Sequence, residues 1–552
     1  MFISIVLNAE YMDIASRTKW YLKNLLHCKQ NGWILITHEY MRIHFDELQK
    51  EVTKSLFDSW EMEPFELQDL NDVEQYFVPD ELFDDLEKYY GSRSEMLFAL
   101  NSPVETVLDE CMSGIFERIK QKHPQEEING IFNSLESFEC VRSISRKWNI
   151  PLFNYSFSAI RKPHGYRQTL YHVNRDRFWT AEECESRWHK FEKELKDSHV
   201  PIFTNQEIIA IIGKERTLPL LQLMDSSPKY EMGVCCECYA LLPQVFNNDP
   251  YTDDDIFYEC KKIFGKDKMK VRSHSLHLDE IQVDRTEVRN DPAAFLLSCK
   301  RLAAVQSQIL LKALLWKRTA VMKKDTLAFA FLCAKDVETV LQDNLEGLNY
   351  YIFGYLIPAE LMFSDKYWQW RLTNPSELEI YQCHLDYLLS SHHIEKEKIQ
   401  SLKGKERLKY LLVARGCDNQ LITALMGDSI VNHLNWDVAS SRFDVYSNNK
   451  AKTYWRIDRE NKDKSLSTQL VVDVENADKV DFYPLDDVAG FAKLHRVRLN
   501  GRELKLGSQM TEYQFMQKNK GCFEICFDSP IHGLLSVECV WNYKKINEFL
   551  NN

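Results

Sequence analysis

The chain has 552 residues, 44% of them hydrophobic and 27% charged, with a formal net charge of −13, the make-up of a globular protein of about two to four domains. That acidic balance argues against general nucleic-acid binding, and no run approaches the roughly 18–20 apolar residues of a membrane span. Fifteen cysteines, an odd number, lie in apolar contexts and suit buried, reduced thiols in a cytoplasmic protein rather than a disulfide framework.

The first residues, Met1-Phe-Ile-Ser-Ile-Val-Leu-Asn-Ala, lack a basic n-region and read as a first strand rather than a signal peptide. Residues 40–100 are acidic and aromatic and read as inserted helices. Ser102-Pro-Val-Glu predicts a helix start, with Ser as N-cap and Pro at the first position, running to about Lys122. Strands are expected over Ile128–Ser134 and Ile150–Tyr155, with a helix over Glu139–Trp148 between them. Such alternation with short connections predicts α/β structure with a parallel sheet.

A second α/β stretch covers about 231–345. Val234–Leu242, Met269–His274, Ala303–Gln306 and Thr319–Met322 read as strands, and Asp253–Phe264, Asp291–Ser298 and Ser307–Lys317 as helices. Cys235-Cys236-Glu-Cys238 lacks the paired spacing of a zinc site and reads as part of a buried strand. Residues 346–435 read as mostly helical. From about 440, segments such as Leu466-Ser-Thr-Gln-Leu-Val-Val-Asp-Val and Leu535-Ser-Val-Glu-Cys-Val-Trp alternate at period two, which predicts a small all-β sandwich.

The passage from Arg272-Ser-His274 to Ser307-Gln308 concentrates the candidate chemistry. Arg272 and His274 close a predicted strand, and ligands of open α/β sheets gather at the carboxyl ends of strands. Ser307 and Gln308 stand in the turn before a helix, whose free N–H groups suit a phosphate. The same two residues also suit a plain N-cap. Lys312, one turn on, reads as a phosphate cation or a solvated helix residue. A phosphorylated, nucleotide-linked small molecule is the ligand expected there.

Several phrases resemble those of bacterial capsule and O-antigen GT-B glycosyltransferases related to the retaining β-Kdo transferases. They are Asn154-Tyr-Ser-Phe-Ser-Ala-Ile-Arg161-Lys-Pro, Glu185-Ser-Arg187, Leu241-Leu-Pro-Gln244-Val-Phe-Asn-Asn-Asp249, Arg272-Ser-His274, Val305-Gln-Ser307 with its helix, and Asp365-Lys-Tyr-Trp-Gln-Trp-Arg with His384. Their order spans roughly 130–390. The resemblance implies two Rossmann-like lobes with a helical return, to which the period-two segments add the C-terminal β-sandwich. Residues 1–230 would be the acceptor lobe with helical insertions, 231–435 the nucleotide-sugar lobe, and 440–552 an accessory domain, with the acceptor between the two α/β halves.

The resemblance also implies a nucleotide-sugar donor of the CMP-Kdo type and a glycan acceptor. It further implies peripheral association with membrane-bound polysaccharide assembly machinery, at the inner face of the membrane. Asp249 matches the family's nucleophilic carboxylate, although Asn-Asn-Asp-Pro is also an ordinary turn. Gln244 and Arg272 fall among the donor contacts, and His274 among the groups facing phosphate or the donor carboxylate. Arg161 and His164 are candidates for holding acceptor. The family's loop Glu near Ser156 is missing here. Glu136, at another strand end, is the candidate general base in its place, or else an ordinary helix-start charge. Many nucleotide helices of this fold carry a Glu where this chain has Lys312. These departures leave two readings: a transferase with its own donor and acceptor, or a degenerate transferase that binds glycan or scaffolds an assembly. No metal or further cofactor is expected in either.

Overall fold

The computed structural model describes residues 1–7, 14–42, 70–103, 106–135, 138–162, 165–175, 180–225, 227–236, 251–272, 292–339, 344–417, 419–427, 440–448, 450–458, 466–484, 490–505, 512–515 and 523–542. They fall into two compact units. One combines the residues up to Leu152 with those from 440 onward, and the other holds those of 153–427.

The first unit opens on β1 (Phe2–Leu7), whose six residues are all buried. That pattern is expected of a parallel strand covered on both faces. Helix α1 (Ile14–Asn31) leads to β2 (Ile34–His38), also wholly buried, and β3 (Gln75–Val78) follows. Next come α2 (Asp80–Tyr90), α3 (Arg93–Asn101), α4 (Val107–Lys122), β4 (Gly130–Leu135) and α5 (Glu139–Trp148). The strands lie side by side in the order β4-β1-β2-β3, all parallel. Ile3, Ile5, Ile36 and Ile131 bury one face against Ile115 and Phe116 of α4 and Val141 of α5.

The helix expected to start at Ser102 does not. Ser102 ends α3, its N–H bonding to Ala99 O at 3.0 Å. Helix α4 begins after Thr106, where Thr106 and Asp109 form a capping box with the Thr106 N–H donating to Asp109 Oδ2 at 2.8 Å. Thr-x-x-Asp answers two orphan N–H groups at once, and the Ser102 N–H is already committed to the end of α3.

The second unit starts with β5 (Leu152–Phe157) and β6 (Leu170–Asn174), antiparallel to each other. Helices α6 (Glu182–Leu195) and α7 (Asn205–Ile212) lead into a parallel sheet. Its strands are β7 (Tyr230–Cys235), β8 (Met269–Arg272), β9 (Cys299–Ala304) and β10 (Thr319–Met322). They are joined by α8 (Asp253–Phe264), α9 (Pro292–Ser298) and α10 (Ile309–Leu315). The order is β10-β9-β7-β8, all parallel. A short strand β11 (Ile357–Pro358) adds to β6, and the rest of the unit is helical. That part includes a π-helical turn over Tyr350–Tyr355, then α11 (Asp365–Leu372), α12 (Glu377–Ser391), α13 (Lys396–Ser401), α14 (Gly404–Ala414) and α15 (Asn419–Met426).

The C-terminal strands are β12 (Ser440–Ser447), β13 (Lys450–Asp458), β14 (Leu466–Pro484), β15 (Gly490–Leu499), β16 (Arg502–Glu503), β17 (Glu512–Phe515) and β18 (Phe523–Asn542). They form one antiparallel sheet in the order β13-β12-β14-β18-β15-β16, with β17 on β15. The period-two pattern thus gives a single sheet with two very long strands, not two separate sheets. Register shifts after Val474 and Ala477 break the β14–β18 ladder, and such bulges bend strands. Residues on both sides of the break, Val472 and Val537 on one, Phe482 and Ile525 on the other, share one apolar cluster. The opposite face of β14 is also buried at Gln469 and Val471. Helix α1 lies against β14, so this sheet belongs to the first unit's packing.

Candidate functional site

In the second unit the chain runs from β7 outward to β8, then crosses back past β7 to β9 and β10. The direction of winding therefore reverses between β7 and β9, the topological switch point where open α/β sheets bind ligands outside their carboxyl ends. Arg272 ends β8 level with Cys235 of β7, and Cys236 N–H donates to Arg272 O at 2.8 Å. Val234 is level with Ala303 of β9, so the turn Val305-Gln306-Ser307-Gln308 leaves the sheet beside the end of β7. Two strand spacings separate β8 from β9, roughly 10 Å.

The turn is held from its other side. Lys323 and Lys324, past the end of β10, donate their N–H groups to Ala304 O and Val305 O, each at 3.3 Å. Lys323 Nζ pairs with Glu259 Oε1 at 2.6 Å, and the Tyr251 hydroxyl donates to the same carboxylate. Gln306, Lys324 and Thr326 are buried. Burial pushes the Cys235 thiol well above its ordinary value, with Arg272 pulling it down and Asp253 pushing it up from nearby. It is an inert thiol in charged company.

Helix α10 spans seven residues, fewer than the eleven expected from the sequence. Its N-cap position is Gln308 and carries no side-chain capping bond; Ser307 contributes its carbonyl, which accepts from Leu310 N–H at 3.1 Å. A two-turn helix offers little dipole beyond its first N–H groups, so a phosphate here would rest on the turn and on Arg272. Gln308 Oε1 is buried and accepts no hydrogen bond among the described residues, an acceptor open to a further donor. Asn205 Nδ2 holds the other end of α10, donating to Leu314 O at 2.7 Å.

Lys312 reaches toward Tyr166, its Nζ 5.8 Å from the ring centroid, rather than lying solvated on the helix. Arg161 is fixed in the loop between β5 and β6: its Nε donates to Ser158 O at 3.0 Å and its guanidinium lies 5.2 Å from the Phe157 ring centroid. So Arg272, Ser307 and Gln308 share one sheet end, Lys312 stands one turn along, and Arg161 sits elsewhere in the unit. Asp249, Glu136, His274, Gln244 and His164 lie outside the described residues.

Other residues of the recognised phrases face inward. Arg187 forms a two-pronged pair with Glu377, at 2.9 and 3.0 Å, and the Tyr350 hydroxyl donates to Glu377 at 3.2 Å. The Tyr367 hydroxyl is 2.6 Å from His384 Nε2 and accepts from Arg371 Nη1 at 2.9 Å. Trp368 is buried and donates to Met362 O at 2.7 Å. These polar groups fix packing within the unit.

The first unit has its own switch point, between β1 and β4. At that end of the sheet, sequence reading missed His38 and Asp80. His38 ends β2, buried, with Nδ1 3.8 Å from Asp80 Oδ1 and its ring against Phe83. Asp80 Oδ1 is buried and accepts no hydrogen bond among the described residues. A histidine closing a buried, mostly apolar strand, Ile34-Leu-Ile-Thr-His38, was the signal available. Glu139, three residues past Glu136, is engaged by Arg142 Nε at 2.6 Å and by Arg146.

No protein-family model and no curated protein matches the chain. Among solved structures it is similar to two β-Kdo transferases of Thermosulfurimonas dismutans KpsC. For the 2,4-transferase the identity is 11%, over 40% of this chain and 78% of the other, with a TM-score of 0.28. For the 2,7-transferase it is 13%, over 45% and 93%, again with a TM-score of 0.28. A UDP-GlcNAc 2-epimerase of Methanocaldococcus jannaschii, solved with UDP-GlcNAc and UDP, shares 11% identity over 63% of this chain and 91% of its own, with a TM-score of 0.25. The chain is thus a mixed α/β protein with two runs of four parallel strands in doubly wound order, β4-β1-β2-β3 and β10-β9-β7-β8, and a C-terminal antiparallel sheet.

Proposed function

We propose that this chain is a glycosyltransferase of GT-B plan that moves a sugar from a nucleotide-activated donor to a glycan of a bacterial surface polysaccharide. Residues 1–230, 231–435 and 440–552 would be its acceptor, donor and accessory parts. The observation that carries this reading is the second unit's switch point, where Arg272 and the Val305–Gln308 turn stand at one end of one parallel sheet. A leaving phosphate needs a cation and N–H donors, and the sugar needs hydroxyl partners; Arg272, the turn and the unanswered Gln308 Oε1 supply those types. In this reading Asp249 is the carboxylate at the anomeric carbon and His274 a further phosphate or carboxylate partner. Glu136 is the base toward the acceptor, and Gln244, Arg161 and His164 are substrate contacts. CMP-Kdo is the donor that the sequence resemblance favours.

The test is a thermal-shift titration with CMP, UDP and GDP, followed by turnover of CMP-Kdo and a panel of other nucleotide sugars. The expected result is stabilisation by one nucleotide and release of that nucleotide from its sugar conjugate. Absence of binding across the panel overturns the reading. A second reading, a glycan-binding or scaffolding relative that has lost turnover, draws on Lys312, whose ammonium is turned to Tyr166. Nucleotide binding with no turnover of any donor would select it.

A further inference from the structure

Residues 396–409 hold five lysines and one arginine against two glutamates, in a chain whose net charge is −13. The folded structure sorts them. Arg407 turns inward, its Nε and Nη2 gripping Glu207 at 2.7 and 2.9 Å, and Leu408, Leu411 and Leu412 are buried beside it. Lys396 pairs with Asp386, and Lys398 with Glu395 at 2.7 Å. Lys403, Lys405 and Lys409 are exposed and form no ion pair among the described residues. Lys405, Lys409 and Val413 follow one another at four-residue steps, so they line one stripe of α14. Val413 is 56% exposed. Glu406 is exposed beside this stripe.

We propose that this face of α14, with Lys403 leading into it, docks the protein on an anionic lipid bilayer. The charge is complementary and local. An anionic leaflet attracts lysines held near it, each worth roughly fivefold in partitioning, while charges beyond about 10 Å are screened at ordinary salt. The chain's overall negative charge therefore does not cancel a patch that meets the surface first. The exposed valine on the lysine stripe favours a bilayer over a soluble polyanion, because an apolar side chain gains by entering the headgroup layer and gains nothing from a hydrated polymer. The inference is independent of the donor assignment.

Co-flotation of the full chain with vesicles tests it. Binding is expected to vesicles of phosphatidylcholine mixed with phosphatidylglycerol, with little binding to phosphatidylcholine alone, and loss as salt rises. The K403E/K405E/K409E variant should cut the bound fraction at least tenfold with an unchanged melting temperature. Val413→Asp should cut it several-fold at unchanged salt sensitivity. Equal binding of the triple variant and the parent overturns the proposal, as does equal binding to both vesicle types. Retention by an anionic glycan such as heparin with none by vesicles also overturns it.

Discussion

Arg272 and Gln308 make opposite demands of a binding experiment. Arg272 stands at the carboxyl end of β8, and removing a charge-assisted contact to phosphate costs about 1.5–3 kcal/mol. Arg272→Gln should therefore weaken binding of the preferred nucleotide at least tenfold, read by calorimetric titration. Gln308 Oε1 is buried without a donor among the described residues, so the free protein loses little when it goes. Gln308→Met should leave stability within about 1 kcal/mol of the parent, because a buried polar atom already unsatisfied costs rather than contributes. The same variant should weaken the nucleotide measurably. An acceptor with a purely structural role would give the reverse: lost stability and unchanged affinity. The sequence pointed to both residues because the end of β8 and the turn after β9 are legible in it. It did not point to His38 and Asp80, which are 42 residues apart in the chain and meet only when β2 and α2 are in place.

At the scale of elements, buried strands were the easiest to read, since β1 and β2 are mostly apolar and buried throughout. Helix ends were harder. The Ser-Pro at 102–103 looked like a start, yet the Thr106–Asp109 box three residues on took the role. Helix α10 is shorter than its apolar periodicity promised because Lys317 turns left-handed at φ 54° and Arg318 N–H folds back to Ala313 O at 2.8 Å. Long-range clamps were invisible in the sequence. Helix α14 grips α7 through Arg407 and Glu207, side chains 9% and 1% exposed, and through Arg415, which donates to the carbonyls of Ala210, Ile211 and Gly213 at the end of α7. Arg407→Leu strands the Glu207 carboxylate and should cost about 3–5 kcal/mol in urea unfolding. Adding Glu207→Leu should recover much of that loss, since the apolar pair removes the buried charge. A double variant no better than the single would show that packing around the guanidinium, not the stranded charge, sets the penalty.

For the whole molecule, buried histidines contribute to the response to acid. Burial holds His172 down to about 4, with Arg161 pushing the same way. Burial and Lys23 hold His27 down to about 3. Burial, then Arg371 and Arg187, hold His384 well below its ordinary value. Each is neutral when folded and takes up a proton near pH 6.5 when unfolded. The unfolded chain thus binds more protons between pH 6.5 and each folded value, so stability rises with pH across that window and is lost on acidification. Each group contributes up to about 1.4 kcal/mol per pH unit there. His172 and His384 belong to the second unit and His27 to the first, so the second unit should lose stability about twice as steeply from this source between pH 6 and pH 4.5. Scanning calorimetry over that range should show the melting temperature falling as pH falls. His172→Gln, which cannot take up the proton, should flatten the slope of melting temperature against pH over that range. A slope identical to the parent's would mean that His172 titrates alike folded and unfolded, and that carboxylates carry the acid sensitivity instead.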